Sequence, residues 1–214
     1  MTKIYVHPLP IRLWHGVNAS GFVLMILTGF QLRFSGAINL LPFQTTVDVH
    51  NWIGFVLIAN FFVWFLFYLF SDRVRSYHPD LSPRRQFDRT FRQMQYYGYG
   101  IFKGQPNPHK LSIYDKFNPL QSMLYQIVML LAVPLVAVTG LLLWDSHLFK
   151  PVMAFFGGTR VVGTVHVLLF IFFCFFIVMH VYLGSLGHTV TAHYKAMFLT
   201  GYEDVHDESP ADKS

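Results

Sequence analysis

The sequence predicts an all-α, integral-membrane four-helix bundle with both termini cytoplasmic, and three observations carry that prediction. Only 13% of the 214 residues are charged, while 53% are hydrophobic and 18% aromatic, with a mean hydropathy of +0.40. An ordinary soluble domain carries about 25% charged residues, so this composition argues against a soluble enzyme. The uncharged residues fall in four long blocks, each supplying the roughly 20 residues that an α-helix needs to cross the hydrocarbon core. The length suits one domain, placed at 1–202, with an acidic tail over 203–214.

The first span, about 11–33, runs between Arg12 and Arg33. It begins after twelve residues and lacks a small-residue cleavage site, so it reads as a retained span rather than a signal peptide. The second, about 48–71, lies between Asp48 and Asp72. The third, about 117–144, lies between Lys116 and Asp145, and the fourth, about 161–187, follows Arg160. The last two blocks exceed one crossing, and their surplus is assigned to the interface or a short extension. The loop from Asp72 to Lys116 is rich in Tyr, Pro and Arg; an amphipathic helix is expected from about Pro83 to Tyr97. Phe91, Tyr96, Tyr97, Tyr99 and Phe102 are expected on the membrane surface there. After Tyr202 the chain is acidic with little apolar content, and disorder is expected.

Orientation follows from Lys and Arg, which are retained on the cytoplasmic side. With four crossings, the loop between the second and third spans shares a side with both termini, and that side holds thirteen of the 16 basic residues. The other side has Arg33, Lys150 and Arg160. Topology and anionic membrane lipid therefore account for the net charge of +5, and no nucleic acid is needed. The single cysteine, Cys174, excludes an intramolecular disulfide, a four-thiolate iron–sulfur site and a C-x-x-C-H haem attachment.

Four of the eleven histidines stand inside the spans: His15 in the first, His50 in the second, His166 and His180 in the fourth. Ionisable groups in a bilayer are costly and mark bundle interiors or cofactors. The fourteen-residue step from His166 to His180 amounts to about four helical turns and a rise of roughly 21 Å, so both lie on one face at two depths. Alternating span directions bring His15 to the depth of His180 and His50 to that of His166. Two bis-histidine levels are what two stacked, non-covalent b-type haems require. Structural zinc takes four ligands, and each level offers two. Interior histidines joined by helix-to-helix hydrogen bonds are the plainer alternative.

Gly29, Gly54 and Gly140 would make room for a porphyrin, or serve only close helix packing. Arg12 and Arg160 could pair haem propionates, or act as topological anchors. Trp14 and Trp52 suit interfacial anchoring or haem packing equally. Asn118 followed by Pro119 reads as a helix start, with Asn118 as cap.

On Pro10-Ile11-Arg12-Leu13-Trp14-His15, Lys116-Phe117-Asn118-Pro119-Leu120-Gln121, the His166 and His180 pair, and Met197-Phe198-Leu199-Thr200-Gly201-Tyr202, the chain resembles a known family. It is similar to the diheme cytochrome b subunits of respiratory formate dehydrogenases, nickel–iron hydrogenases and thiosulfate reductases, within the bacterial cytochrome b561 superfamily. The resemblance implies a subunit of the bacterial inner membrane in which an external iron–sulfur subunit exchanges electrons with the outer haem (His50, His166). Electrons cross to the inner haem (His15, His180), beside which a quinone, menaquinone or ubiquinone, binds. The catalytic subunit would be of the molybdenum or nickel–iron hydrogenase class. The resemblance points the quinone site to His180, Asn118 and Gln121, where the Gln121 amide could donate to a quinone carbonyl. His188 and His193 could relay protons near that face, or act only as exposed juxtamembrane residues. Two further classes stay open: a stand-alone b561-type quinol oxidoreductase, and a haem-free transporter, although no Asp or Glu lies between the charges bounding each block.

Overall fold

Four helices of the computed structural model are long and apolar enough to cross a membrane: Leu9–Arg33, Phe43–Phe70, Pro119–Trp144 and Thr159–Gly184. They are the first to fourth spans, and the structure describes residues 2–70, 82–109, 118–187 and 189–205. His78, Lys116, Phe117, His188, His206 and the tail beyond 205 lie outside the described residues.

The span limits show what flanking charges do and do not mark. The second span begins at Phe43, five residues before the expected edge at Asp48. Its first turn is organised by the Pro42 carbonyl, which accepts from the Thr46 amide at 2.9 Å and the Thr46 hydroxyl at 3.2 Å. A charge limits apolar length, whereas hydrogen bonding limits the helix, and a helix can continue past a membrane edge. The fourth span ends at Gly184 rather than 187, where the Tyr194 ring packs against it and the Tyr194 hydroxyl donates to the Val181 carbonyl. Within the third span, Val128–Ala132 widens into a π-turn immediately before Val133 and Pro134. Proline has no N–H for the carbonyl one turn back and its ring crowds that carbonyl, so a wider turn accommodates it.

The spans touch closely within two hairpins, first with second and third with fourth, and more sparsely between hairpins, second with third and first with fourth. The bundle therefore runs 1-2-3-4 around its axis, with the second and fourth spans on a diagonal. Trp64, Val128, Met129, Ala132 and Phe173 form a core between the spans. Trp14 and Asn60 join the first hairpin reciprocally: the Trp14 indole donates to the Asn60 carbonyl at 3.0 Å, and the Asn60 amide to the Trp14 carbonyl at 3.2 Å. The Trp14 ring lies 6.5 Å from that of Trp64, so Trp14 is a helix-packing residue, whereas Trp52 is exposed on the bundle's outside. Few span residues are fully buried and many large apolar side chains are exposed, as expected of a bundle whose surface meets lipid rather than water.

The chain ends are tied together, a feature the helical periodicity does not reveal. Strand β1 (Thr2–Tyr5) pairs antiparallel with β2 (Tyr202–Val205), so the two ends lie on one side of the bundle. The start of the acidic segment, expected to be disordered, is thus ordered as far as Val205 by backbone pairing. Gly201, at φ +79°, turns the chain into β2, and its carbonyl accepts from the Val6 and His7 amides at 2.9 and 3.0 Å. A Cβ there would stand 2.6 Å from the His7 carbonyl oxygen, so the turn requires glycine.

A surface helix, Pro83–Gly98, covers the start of the third span. Its inward face is polar: Thr90 and Gln93 are buried, and the Gln86 amide donates to the Pro119 carbonyl at 2.9 Å. Phe87, Phe91 and Met94 are exposed on another face, together with Tyr99 and Phe102 beyond the helix. Tyr97, expected at the membrane surface, instead turns inward to accept from the Asn118 amide at 3.1 Å, and burial raises its phenol above the ordinary value. Asn118 forms a capping box with Gln121: its side chain accepts from the Gln121 amide at 2.8 Å, and the Gln121 side chain accepts from the Asn118 amide at 3.1 Å. Asn118→Ala is expected to cost about 1 kcal/mol through the lost cap, read as a lower midpoint of thermal unfolding in detergent. An unchanged midpoint would show that the cap carries no stability.

Candidate metal centres

The two histidine pairs expected from sequence depth meet in space. The His15 and His180 ring centroids lie 6.0 Å apart with planes inclined at 40°. Those of His50 and His166 lie 6.4 Å apart at 72°. The first pair bridges the adjacent first and fourth spans; the second reaches across the diagonal between the second and fourth. His180 is the exposed member, and the other three are half-buried. Among the described residues, no group of three or more His, Cys, Asp and Glu side chains is arranged to hold a metal ion.

These separations are too wide for a direct hydrogen bond between facing rings and suit an atom held between them. An imidazole nitrogen sits about 2 Å from a first-row metal, and about 1.1 Å from its own ring centre. Two rings facing one iron in line therefore have centres about 6.3 Å apart. Both pairs match that spacing, and two imidazoles are a donor set that would hold haem iron. The residues present therefore fit haem.

The His50–His166 level is held by hydroxyls from neighbouring spans. His50 Nδ1 lies 2.8 Å from Thr28 Oγ1, and His166 Nδ1 lies 3.0 Å from Thr139 Oγ1. Each threonine precedes a glycine that faces the same ring: a Cβ at Gly29 would come 3.7 Å from His50 Cε1, and one at Gly140 would come 3.3 Å from His166 Cε1. Gly54 differs, because a Cβ there would meet only the Met25 methyl at 3.8 Å, an ordinary helix-packing contact. Sequence reasoning singled out the glycines and missed Thr28 and Thr139. The signal was available, since Thr-Gly occurs once in the first span and once in the third. Arg160 stands in the first turn of the fourth span, where its carbonyl accepts from the Thr164 hydroxyl at 2.8 Å.

The His15–His180 level is held by aromatic rings. Phe176, one turn from His180, stacks on it at 5.5 Å and 21°. Phe198 sets its ring at 66° to His15, at 5.5 Å. Phe198 is carried by the turn Ala196–Thr200, whose carbonyls are gathered by Arg12: the guanidinium donates to the Met197, Phe198 and Leu199 oxygens at 3.3, 3.0 and 2.5 Å. Helix-terminal carbonyls lack partners of their own, and a cation satisfies them well. Asn118 has its carbonyl and amide committed to Gln121 and Tyr97. Gln121 is exposed, and its Nε2 takes part in neither capping bond.

Beside this turn, Glu203 lies 2.9 Å from His7 Nε2 and 3.6 Å from His193 Nδ1. Burial pushes the Glu203 carboxyl up, but hydrogen bonding and charge from His193 and His7 outweigh it and hold the group at about 2. The Glu203 hydrogen bond, against the opposing effect of burial, raises His193. A depressed carboxyl stabilises the fold above its ordinary value near 4.5 and loses that contribution as pH falls through about 2. A raised histidine contributes fully below its ordinary 6.5 and loses it as pH rises through its folded value. The terminal strap is thus expected to be tightest between about pH 4.5 and 6.5. Hydrogen exchange at the Val6 and His7 amides, corrected for intrinsic rate, reads this directly, and Glu203→Gln is expected to flatten the profile. A flat profile in the unaltered protein would contradict the coupling.

Comparison with known proteins points to one family. The sequence model of a family described as prokaryotic cytochrome b561 matches residues 6–199. The chain is 32% identical over 201 residues to a protein of Escherichia coli (strain K12) named cytochrome YdhU, spanning 94% of this chain and 74% of that one. It is 24% identical to a protein of Cupriavidus necator named Ni/Fe-hydrogenase B-type cytochrome subunit, over 83% of this chain and 77% of that one. A protein of the same name from Azotobacter vinelandii is 26% identical over 86% and 80%. No solved structure is a significant match.

Proposed function

The chain belongs to the prokaryotic cytochrome b561 family, a haem-b membrane cytochrome that crosses the bacterial inner membrane several times, and on that premise we propose that it is a diheme electron-transfer subunit. It anchors a respiratory oxidoreductase and passes electrons between an external iron–sulfur subunit at the outer level and the quinone pool at the inner level. The observation that carries this reading is the pair of imidazole couples, 6.0 and 6.4 Å between ring centres, at two depths of one bundle. When bound, haem supplies a one-electron ferric/ferrous couple at each level.

The chain's own residues do the rest. His50 and His166 hold the outer group, and His15 and His180 the inner one. Gly29 and Gly140 leave space beside the outer rings, and Arg160 stands where a propionate would reach the outer surface. On the inner side, His180 is open, and the exposed Gln121 amide nitrogen is the donor for a quinone carbonyl, while Asn118 sets the helix start that places it. Both termini and the basic surface helix are assigned to the cytoplasm. The names of the Cupriavidus and Azotobacter relatives support a catalytic partner of the nickel–iron hydrogenase class; a molybdenum enzyme is the other partner class that the family resemblance offers.

The deciding measurement is the haem b content per chain of detergent-purified protein, with reduced-minus-oxidised spectra and co-purification of partner subunits. Two low-spin haems with an iron–sulfur partner are expected. Two haems without any partner, in a preparation from native membranes, would move the reading to a stand-alone quinol oxidoreductase. A folded, haem-supplied chain holding none would overturn it.

A further inference from the structure

The two levels differ in how their imidazoles are held, and that difference has a chemical consequence. We propose that Thr28 and Thr139 are positioning residues that fix both outer histidines in the Nδ1–H tautomer, aiming the Nε2 lone pairs at iron and lowering the reduction potential of the outer centre. The inference rests on the two-haem reading above.

A threonine hydroxyl has one hydrogen to give and two lone pairs to receive. Within a span there is no bulk water to share that role, so the hydrogen goes to protein. Thr28 Oγ1 lies 2.8 Å from the Leu24 carbonyl and 3.2 Å from that of Met25. Thr139 Oγ1 lies 2.8 Å from the Leu135 carbonyl and 3.1 Å from that of Val136. With its hydrogen donated back along its own helix, each hydroxyl has only lone pairs to offer the imidazole, so His50 Nδ1 and His166 Nδ1 carry the proton and donate. The opposite tautomer would place an N–H at the nitrogen facing iron. The same arrangement, a threonine one residue before a glycine, arises independently on the first and third spans and serves two histidines on different spans.

An imidazole that donates through Nδ1 is a more basic ligand through Nε2. Greater donation favours the higher positive charge of ferric iron, and so lowers the potential. Among the described residues the inner level has no matching tether: His15 Nδ1 is buried without a hydrogen-bond partner, and His180 is packed by the Phe176 ring. The tethers thereby lower the potential of the outer centre, a bias toward electron flow inward.

Thr28→Val and Thr139→Val keep the shape and remove the hydroxyl; Thr28→Ser and Thr139→Ser keep the hydroxyl. Potentiometric titration of both haems in the purified full chain, with haem content measured in parallel, is the test. Each valine variant is expected to weaken the ferric preference of the outer haem by about three- to tenfold, the worth of one hydrogen bond. Tenfold corresponds to an upward shift of about 59 mV for one electron. The inner haem is expected to stay put, and the serine variants to match the unaltered protein. Selective loss of the outer haem in a valine variant, restored by serine, supports the same conclusion. Because the threonines sit on different spans, failure of one valine variant to fold leaves the other decisive. Valine variants that keep two haems at unmoved potentials, or serine variants that behave like valine, overturn the positioning role while leaving the two-haem reading intact. An unaltered protein with fewer than two haems would overturn that reading itself.

Discussion

Alanine at His166 is expected to reduce the haem b content of the purified chain from two to one, leaving the inner haem with its spectrum and potential intact. The His166 ring faces His50 across the diagonal of the bundle, 6.4 Å between centres, and Thr139 and Gly140 place it there. Truncation leaves the outer centre one imidazole, and the second span alone presents no other ligand at that depth. Electron entry from an external donor should stop, while quinol added to the inner side should still reduce the remaining haem. His180→Ala is expected to do the reverse: the outer haem remains reducible from outside and quinone turnover is lost. His50→Ala should copy His166→Ala, and His15→Ala should copy His180→Ala. The comparison is sharp because His166 and His180 share a helix, so a general defect in that helix would remove both haems from both variants. If His166→Ala and His180→Ala removed the same haem, the pairing by depth would be wrong.

Filling the space at Gly140 is expected to have nearly the same effect without touching a ligand. A methyl at 140 would already stand 3.3 Å from His166 Cε1, tighter than ordinary contact, and the ring cannot retreat without leaving Thr139. Gly140→Leu adds three further carbons in that direction, and loss of the outer haem is the expected result, with the inner haem retained. Gly54→Ala is the matched control. Its new methyl meets only the end of the flexible Met25 side chain at 3.8 Å, so both haems should remain. Equal haem content in Gly140→Leu and the unaltered chain would show that the ring position tolerates displacement and that the glycine serves helix packing alone.

Much of this organisation was legible in the residues. Four spans follow from charge-free length, and the pairing of His15 with His180 and of His50 with His166 follows from span direction and the fourteen-residue spacing. The surface helix was expected from about Pro83 to Tyr97 and is found at Pro83–Gly98. Its orientation was not legible: it turns Gln86 and Tyr97 toward the start of the third span, where Pro119 and Asn118 offer hydrogen-bond partners. Arg12 stood in the sequence as a propionate partner or an anchor, and its observed work is to gather three carbonyls nearly two hundred residues away in the chain.

The sequence by itself determined what depends on one segment at a time. Apolar length decides whether a helix can span, and helical periodicity decides which of its residues share a face. Only the tertiary structure decided what lies across from each face: Thr28 behind His50, Thr139 behind His166, Phe198 over His15, and β1 against β2. Those contacts depend on how far each helix is rotated and slid against its neighbours. Rotation and slide are settled by all the packed side chains together, because close-packed interiors leave few arrangements without voids or clashes.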